Sequence, residues 1–195
     1  MIVSIFGGGP SAADLDTRKL PGLVIGVNDA GLLKPCDIWF TLDHNYALEA
    51  RERIDRLPAL TEVNLCMLHR NVHLFSDWRG RYWRRVHTAV PPLDGQSLSS
   101  GPAGTPGCSG YVAINLAAAL GGRTIYLHGY DFHEPYRYWF DDAVHARREV
   151  RAVIRSFRAV ALQYEGMGIE VINCNPNSAI RCFRFDDAQG AGHAA

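Results

Sequence analysis

The feature that most constrains the fold is a series of short, mainly apolar runs, each ended by glycine or a polar turn residue. The first run, Ile2–Phe6, stops at three consecutive glycines, and the second, Leu23–Val27, stops at an asparagine. Runs that are apolar at nearly every position are typical of strands buried on both faces, as in a parallel sheet. Four further strands are predicted at Ile38–Thr41, Glu62–Leu68, Thr124–Leu127 and Ile169–Ile172.

Helical segments lie between these strands. Ser109–Leu120 is a run of small residues ended by two glycines, and the longest predicted helix is Val144–Gly166. Tyr46–Arg56 is also predicted to be helical, and Ser11 with Asp14 has the spacing of a capping box that opens a short helix. The long helix has an apolar stripe at helical spacing, formed by Val150, Ile154, Phe157, Ala161 and Tyr164. The alternation predicts a Rossmann-like, three-layer α/β/α fold with a mostly parallel sheet.

Length and composition restrict the other possibilities. With 195 residues and no internal repeat or linker, the chain is predicted to form one domain over 1–187, followed by a flexible tail over 188–195. The 20 basic residues equal the 20 acidic ones, which makes duplex nucleic acid an unlikely partner. No apolar run is long enough to span a membrane. Five dispersed cysteines without C-x-x-C spacing predict a cytoplasmic protein, and the sequence leaves homo-oligomerisation open.

Polar or glycine-rich segments follow four of the predicted strands. Because the carboxyl ends of parallel strands meet at one edge of a sheet, a ligand site is expected there. Glycines let the backbone approach a phosphate closely, and a following helix offers free N–H groups. The same turn could instead bind no ligand. The candidate nucleotide-binding residues at these ends are Gly7, Gly8, Gly9, Pro10, Ser11, Asn28, Asp29, Asp43, Gly129 and Asp131.

A second glycine-rich loop, GTPGCSG, leads into the Ser109–Leu120 helix. Backbone amides at this helix start could hold a second phosphate or a carboxylate. Cys108, Ser109 and Gly110 are therefore further nucleotide-binding candidates. The alternative interpretation is a flexible loop capped by Ser109.

The acids and histidines supply candidates for chemistry. Asp43 and Asp131 are candidate Mg²⁺ ligands, because carboxylates beside phosphates commonly hold a hard cation. His133 and His145 are candidate general bases acting on an acceptor hydroxyl, since imidazole titrates near neutral pH. An exposed histidine with no catalytic role is the alternative for each. G-x-S-x-G, Walker and H-E-x-x-H motifs do not occur in the sequence.

Three segments together resemble the bacterial sialyltransferases of glycosyltransferase family 42: GGGPSAADLD, GCSGYVAINLAAALGGRTIYLHGYDF and NPNS. The resemblance implies a nucleotide-binding α/β fold and sugar transfer from a CMP-linked donor without a metal. It places Gly8–Ser11, Asn28, Ser109 and Gly110 beside the nucleotide. It also implies that Tyr136 or Tyr138 supports the leaving phosphate and that His145 is nearest the catalytic base.

A different segment, NDAGLLKPCDIWFTLDHN, resembles the DUF115 group, which includes the archaeal 6-hydroxymethylpterin diphosphokinases and is related to thiamin pyrophosphokinases. That resemblance implies strand-end acids that hold Mg²⁺ and a nucleoside triphosphate.

The sequence therefore predicts a nucleotide-dependent transferase in which 1–187 is a nucleotide-binding domain. The first hypothesis is a glycosyltransferase that uses a CMP-sugar-like donor and requires no cofactor. The alternative is an Mg²⁺-dependent ATP diphosphokinase with Asp43 and Asp131 as metal ligands. A third is a nucleotide-binding module without catalytic activity that serves a partner protein. The acceptor stays open.

Overall fold

The structure is a computed structural model that describes residues 1–41, 64–67, 108–145 and 150–186. The strands in these ranges are β1 Ile2–Phe6, β2 Leu23–Val27, β3 Ile38–Thr41, β4 Asn64–Met67, β5 Thr124–His128, β6 Tyr136–Tyr138, β7 Asp141–His145, β8 Glu170–Asn173 and β9 Arg184–Phe185. The α-helices in them are α1 Asp29–Leu33, α2 Ser109–Ala119 and α3 Val150–Gly166. Two 3₁₀ turns, Pro10–Ala12 and Thr17–Lys19, lie between β1 and β2.

Seven of these strands form one sheet in the order β4-β3-β2-β1-β5-β8-β9, and every neighbouring pair is parallel. The remaining two, β6 and β7, form an antiparallel hairpin. The chain runs outward from β1 to β2, β3 and β4 and then returns to place β5 on the other side of β1. This reversal makes the carboxyl ends of β1 and β5 the switch point where ligands bind in such sheets.

Side chains alternate between the two faces of the sheet, and each face is covered differently. Val3 and Ile5 point to the face that carries α2 and α3, where they join the main hydrophobic core. Phe6 and Val24 point to the opposite face and pack with Ala30 of α1. Layers on both faces explain why the central strands are almost entirely apolar, and they confirm the predicted α/β class.

The predicted apolar stripe of the long helix is confirmed, because Val150, Phe157 and Tyr164 are buried in the core. Its predicted start at Val144 is wrong. Val144 and His145 belong to β7, where the backbone of His145 pairs with Tyr136. The pairing partner lies nine residues earlier in the chain, and such a contact overrides local helical preference.

The capping box predicted at Ser11 and Asp14 is also wrong. The turn is a 3₁₀ helix with Gly9 at its N-cap and no side-chain cap. The backbone N–H of Ser11 instead donates to Asp131, 120 residues away. The predicted helix at Tyr46–Arg56 and the tail at 188–195 lie outside the described residues. Among the helices that the structure describes, none is long and apolar enough to cross a membrane.

Candidate functional site

The glycine turn after β1 is fixed against the end of β5. The N–H of Gly7 donates to the carbonyl of His128 at 2.9 Å, and that of Gly9 donates to the carbonyl of Gly129 at 3.0 Å. A Cβ atom on Gly9 would overlap both the Gly129 carbonyl and the Asp131 carboxylate. Glycine at this position therefore permits the close approach of two strand ends.

Asp131 connects the loops that follow three neighbouring strands. This residue is 5% exposed, and its carboxylate accepts the Ser11 N–H at 2.8 Å on Oδ2. The other oxygen, Oδ1, accepts the side-chain amide of Asn175, which follows β8. The loops after β1, β5 and β8 therefore meet at one buried carboxylate.

A cavity of about 340 Å³ opens beside this carboxylate, at the carboxyl ends of β1, β5 and β8. Its volume is in the range that small-molecule sites occupy. Five of the predicted site residues line it: Pro10, Ser11, Asp131, His133 and Tyr136. The other lining residues are Phe132, Pro135, Arg137, Asn175 and Asn177.

The cavity combines cationic and hydrogen-bonding groups at its mouth. Arg137 and His133 are exposed, as is Ser11 on the facing loop. A guanidinium group binds phosphate or carboxylate through paired hydrogen bonds. The arrangement therefore suits an anionic ligand, with an imidazole nearby for proton transfer.

The β6–β7 hairpin packs onto the glycine turn. The backbone N–H of Trp139 donates to the carbonyl of Gly8 at 2.9 Å, and the Tyr138 ring lies close against Gly8. Tyr138 stacks on Phe140 with ring centroids 5.1 Å apart. Tyr136 has its ring centroid 4.9 Å from that of Tyr138 and reaches the cavity wall. The two predicted tyrosines thus lie together, one at the cavity and one on the turn.

His145 lies at the end of this hairpin, where its backbone pairs with Tyr136. The backbone thus places it near the cavity, and the position of its side chain lies outside the described structure. His133, by contrast, lines the cavity itself.

The start of α2 reaches the same edge of the sheet through Tyr130. The Tyr130 hydroxyl donates to the Gly110 carbonyl at 2.9 Å, and its ring lies between Gly110 and Gly7. Cys108, Ser109 and Gly110 are therefore at the predicted edge, but they are not among the residues that line the cavity.

Asn28 and Asp29 also lie at this edge, at the start of α1. Asn28 adopts a positive φ of 52°, and its carbonyl accepts the Trp39 indole N–H at 2.8 Å. The buried Oδ1 of Asn28 has no hydrogen-bond partner within the described residues. Asp43, the remaining predicted site residue, lies outside them.

Burial sets the protonation of the groups behind the cavity. It lowers the pKa of His128 to about 4, so this histidine is neutral at physiological pH. Its Nε2 is 3.7 Å from the Cys174 sulfur. Burial also raises the pKa of the Tyr130 hydroxyl well above its usual value, so that group stays protonated. Both residues are interior hydrogen-bonding groups and not candidate bases.

Sequence reasoning missed Arg137, an exposed arginine that lines the cavity. The sequence also has an aromatic and basic run at Trp78–Arg85, which lies outside the described residues. The sequence signal for Arg137 is its place between Tyr136 and Tyr138 in β6. Successive side chains of a strand point to opposite faces, so the arginine is exposed while the two tyrosines point inward. Asn175 and Asn177 belong to the NPNS segment, whose place after the last predicted strand was a second usable signal.

Asp131 is the one of the two predicted Mg²⁺ ligands that lies within the described residues. Each of its carboxylate oxygens accepts one N–H group, and Asp131 would need further ligands to hold a metal ion. Across the ranges that the structure describes, no three His, Cys, Asp or Glu side chains form a metal-binding group.

Comparisons with known proteins identify relatives in structure only. No family model matches the sequence, and no curated protein matches it. The sialyltransferase CstII from Campylobacter jejuni, solved with cytidine-5′-monophosphate, is 20% identical with a TM-score of 0.63, over 94% of this chain and 84% of that one. An α-2,3-sialyltransferase from the same organism, in apo form, is 17% identical with a TM-score of 0.62, over 96% and 80%.

A third solved structure belongs to a much longer chain. The MAf glycosyltransferase from Magnetospirillum magneticum AMB-1 is 16% identical with a TM-score of 0.61, and the match covers 96% of this chain but only 34% of that one. At these identities the likeness shows the fold. The chain therefore shares its α/β architecture with these glycosyltransferases.

Proposed function

We propose that the protein is a glycosyltransferase that moves a sugar from a CMP-linked donor to an acceptor hydroxyl. The observation that carries the proposal is the cavity at the carboxyl ends of β1, β5 and β8, with Ser11, His133 and Arg137 on its walls. The fold shared with sialyltransferases, one of them solved with CMP, supports the choice of nucleotide.

The phosphate of the nucleotide sugar lies, in this proposal, between the glycine turn and β6. Arg137 balances the charge that develops on the phosphate as the sugar departs, and the hydroxyl of Ser11 donates to a phosphate oxygen. Tyr136 and Tyr138 support the same group, as the resemblance to the sialyltransferases implies. Electrostatic stabilisation of a leaving group is often the largest single contribution to catalysis.

One of two histidines acts as the general base, His145 or His133. The base accepts the proton of the acceptor hydroxyl, and the hydroxyl oxygen attacks the anomeric carbon of the sugar. The bond between that carbon and the phosphate oxygen breaks, and CMP leaves with the electron pair. In this proposal the step proceeds without Mg²⁺, because Arg137 supplies positive charge and the hydroxyl groups donate hydrogen bonds to the phosphate.

Nucleotide titrations test the binding part of the proposal. Calorimetry with CMP, CDP, UDP and ATP, each with and without Mg²⁺, is expected to show CMP binding that is independent of metal. Arg137→Ala is expected to weaken CMP binding by roughly tenfold, the effect of losing one charge-assisted contact. Arg123→Ala is the matched control, because Arg123 is exposed and bonds the Met167 carbonyl at the opposite edge of the sheet. Binding of ATP only with Mg²⁺ would instead favour the diphosphokinase.

Turnover measurements separate the two histidines. His145→Ala and His133→Ala are compared for kcat and for CMP affinity with a CMP-sugar and a panel of acceptor glycans. Loss of the base is expected to lower kcat by roughly 10²–10⁴-fold while CMP affinity is retained. Equal kcat in wild type and both variants would exclude both histidines as the base.

A further inference from the structure

The cavity floor contains a continuous chain of hydrogen bonds that crosses from the β1 loop to the β8 loop. Ser11 N–H donates to Asp131 Oδ2, and the Asn175 side-chain amide donates to Asp131 Oδ1. Asn175 Oδ1 then accepts the backbone N–H of Asn177 at 2.9 Å. Three loops that are far apart in sequence are thus joined by two side chains.

The direction of every bond in this chain is fixed. Asp131 faces two N–H donors, so it must present two acceptor oxygens. Asn175 lies between an acceptor on Asp131 and a donor on Asn177, so it must present its amide nitrogen to one and its oxygen to the other. The pair is therefore complementary as a carboxylate and a carboxamide in this order.

We propose that Asp131 and Asn175 form a polar bridge that sets the position of Ser11 at the nucleotide phosphate, so that Asp131 acts as a positioning residue. The consequence for nucleotide binding rests on the proposed function, whereas the bridge itself does not. Gly9 packs directly against the Asp131 carboxylate, so a change in the bridge is transmitted to the whole turn.

The loop after β8 is held to the same point by further bonds. The backbone N–H of Ala179 donates to the Asp131 carbonyl at 2.8 Å, and the Ser178 hydroxyl donates to the Tyr130 carbonyl at 2.5 Å. These bonds fix the backbone of the β8 loop independently of the Asp131 side chain. Substitution of the carboxylate should therefore loosen the Ser11 side of the bridge without unfolding the β8 loop.

The bridge predicts that swapping its two side chains restores what each single substitution disrupts. In Asp131→Asn, the new amide nitrogen faces an N–H donor where an acceptor is needed. In Asn175→Asp, two carboxylates face each other with no donor between them. The double variant Asp131→Asn/Asn175→Asp restores all three bonds. Its new carboxamide accepts from Ser11 and donates to the new carboxylate, whose other oxygen accepts from Asn177. Net charge is unchanged by the exchange.

The experiment is a double-mutant cycle with two readouts. Amide hydrogen exchange at Ser11 and Asn177 reports on the bridge, and the Kd for CMP reports on the site. Each single variant is expected to accelerate exchange at Ser11 and to weaken CMP binding by roughly tenfold or more, and the double variant is expected to recover most of both. Asp37→Asn is the matched control, because Asp37 accepts the Val24 N–H at 2.8 Å at the opposite edge of the sheet. It should leave Ser11 exchange and CMP binding unchanged.

The outcomes distinguish the bridge from the proposed function. If the single variants leave Ser11 exchange as in wild type, or the double variant is no better than the worse single, the bridge is overturned. If exchange follows the predicted pattern and wild type binds no CMP, the bridge stands and the proposed function fails. If CMP affinity falls in the singles and stays low in the double while exchange recovers, the positioning role at the nucleotide is overturned.

Discussion

The ammonium nitrogen of Lys34 lies 4.6 Å from the centroid of the Trp139 ring, at the junction of α1 and the β6–β7 hairpin. The same nitrogen donates to the carbonyls of Ala12 and Ala13, each at 2.7 Å, and of Leu15 at 2.9 Å. Trp139 in turn donates its backbone N–H to Gly8. One cation therefore holds the segment after the glycine turn, and the tryptophan that it contacts holds the turn itself through its backbone N–H.

Replacement of Lys34 tests this arrangement. Lys34→Met keeps the length of the side chain but leaves three carbonyls without their donor. The free energy of unfolding should fall by about 1–3 kcal/mol in urea denaturation, because bonds to a charged donor contribute more than neutral ones. Lys19→Met is the matched control, since the Lys19 side chain is 84% exposed and its ion pair with Asp16 is 3.7 Å long. An equal loss in both variants would show that the Lys34 contacts do not stabilise the turn.

Gly9→Ala tests the close approach of the β1 and β5 loops. The added methyl group would overlap the Asp131 carboxylate and the Gly129 carbonyl, neither of which can move without breaking the contacts around the cavity. The free energy of unfolding is expected to fall by about 1–3 kcal/mol. At Gly166 a Cβ meets nothing within 4 Å, so Gly166→Ala should be neutral or slightly stabilising. A neutral Gly9→Ala would mean that the turn has more room than the structure gives it.

The central strands could be predicted from the sequence because burial on both faces leaves a purely local signal. Ile2–Phe6 is apolar except at the buried Ser4, Leu23–Val27 is apolar at every position, and both predicted ranges are confirmed. The β6–β7 hairpin has no such signal. It alternates aromatic, charged and small residues, and its position is determined by contacts of Tyr138 and Trp139 with Gly8, which lies far earlier in the chain.

The location of the site was likewise predictable, and its internal connections were not. The rule that ligands bind at the carboxyl ends of parallel strands led to Ser11 and Asp131, which the structure brings together. The sequence does not show that both carboxylate oxygens of Asp131 accept N–H donors, because one donor lies 120 residues before it and the other 44 residues after it. Contacts at such separation leave no periodic pattern.

The buried His128 predicts a pH dependence of stability. Its pKa is about 4 in the folded protein, against an ordinary value of 6.5 for an exposed histidine, so between these values the unfolded chain binds a proton that the folded chain does not. Stability from this group is complete above pH 6.5 and is lost as pH falls towards 4, by up to about 3 kcal/mol. Urea denaturation at several pH values should show a shallower decline for His128→Gln than for wild type. An identical pH dependence of stability in wild type and His128→Gln would contradict the assignment of this loss to His128.

Tyr130 links the β5 loop to the start of α2 through one buried hydroxyl. Tyr130→Phe removes its bond to the Gly110 carbonyl and keeps the ring contacts with Phe132 and Phe157, whose centroids lie 6.1 and 6.3 Å away. The expected loss in unfolding free energy is about 1 kcal/mol. Tyr130→Ala removes the ring as well and should cost about 3–5 kcal/mol. Thermal and chemical denaturation would measure both losses. A Tyr130→Phe variant as unstable as Tyr130→Ala would contradict this division between the hydroxyl and the ring.

The most direct test of the account is to locate CMP on the protein by following backbone amide resonances during a titration without Mg²⁺. We predict saturable shifts centred on Ser11, His133, Arg137 and Asn177, the residues that surround the cavity. Shifts confined to the opposite edge of the sheet, around Asp37 and Arg123, would contradict it. The absence of any shift at CMP concentrations that saturate a millimolar site would contradict it equally.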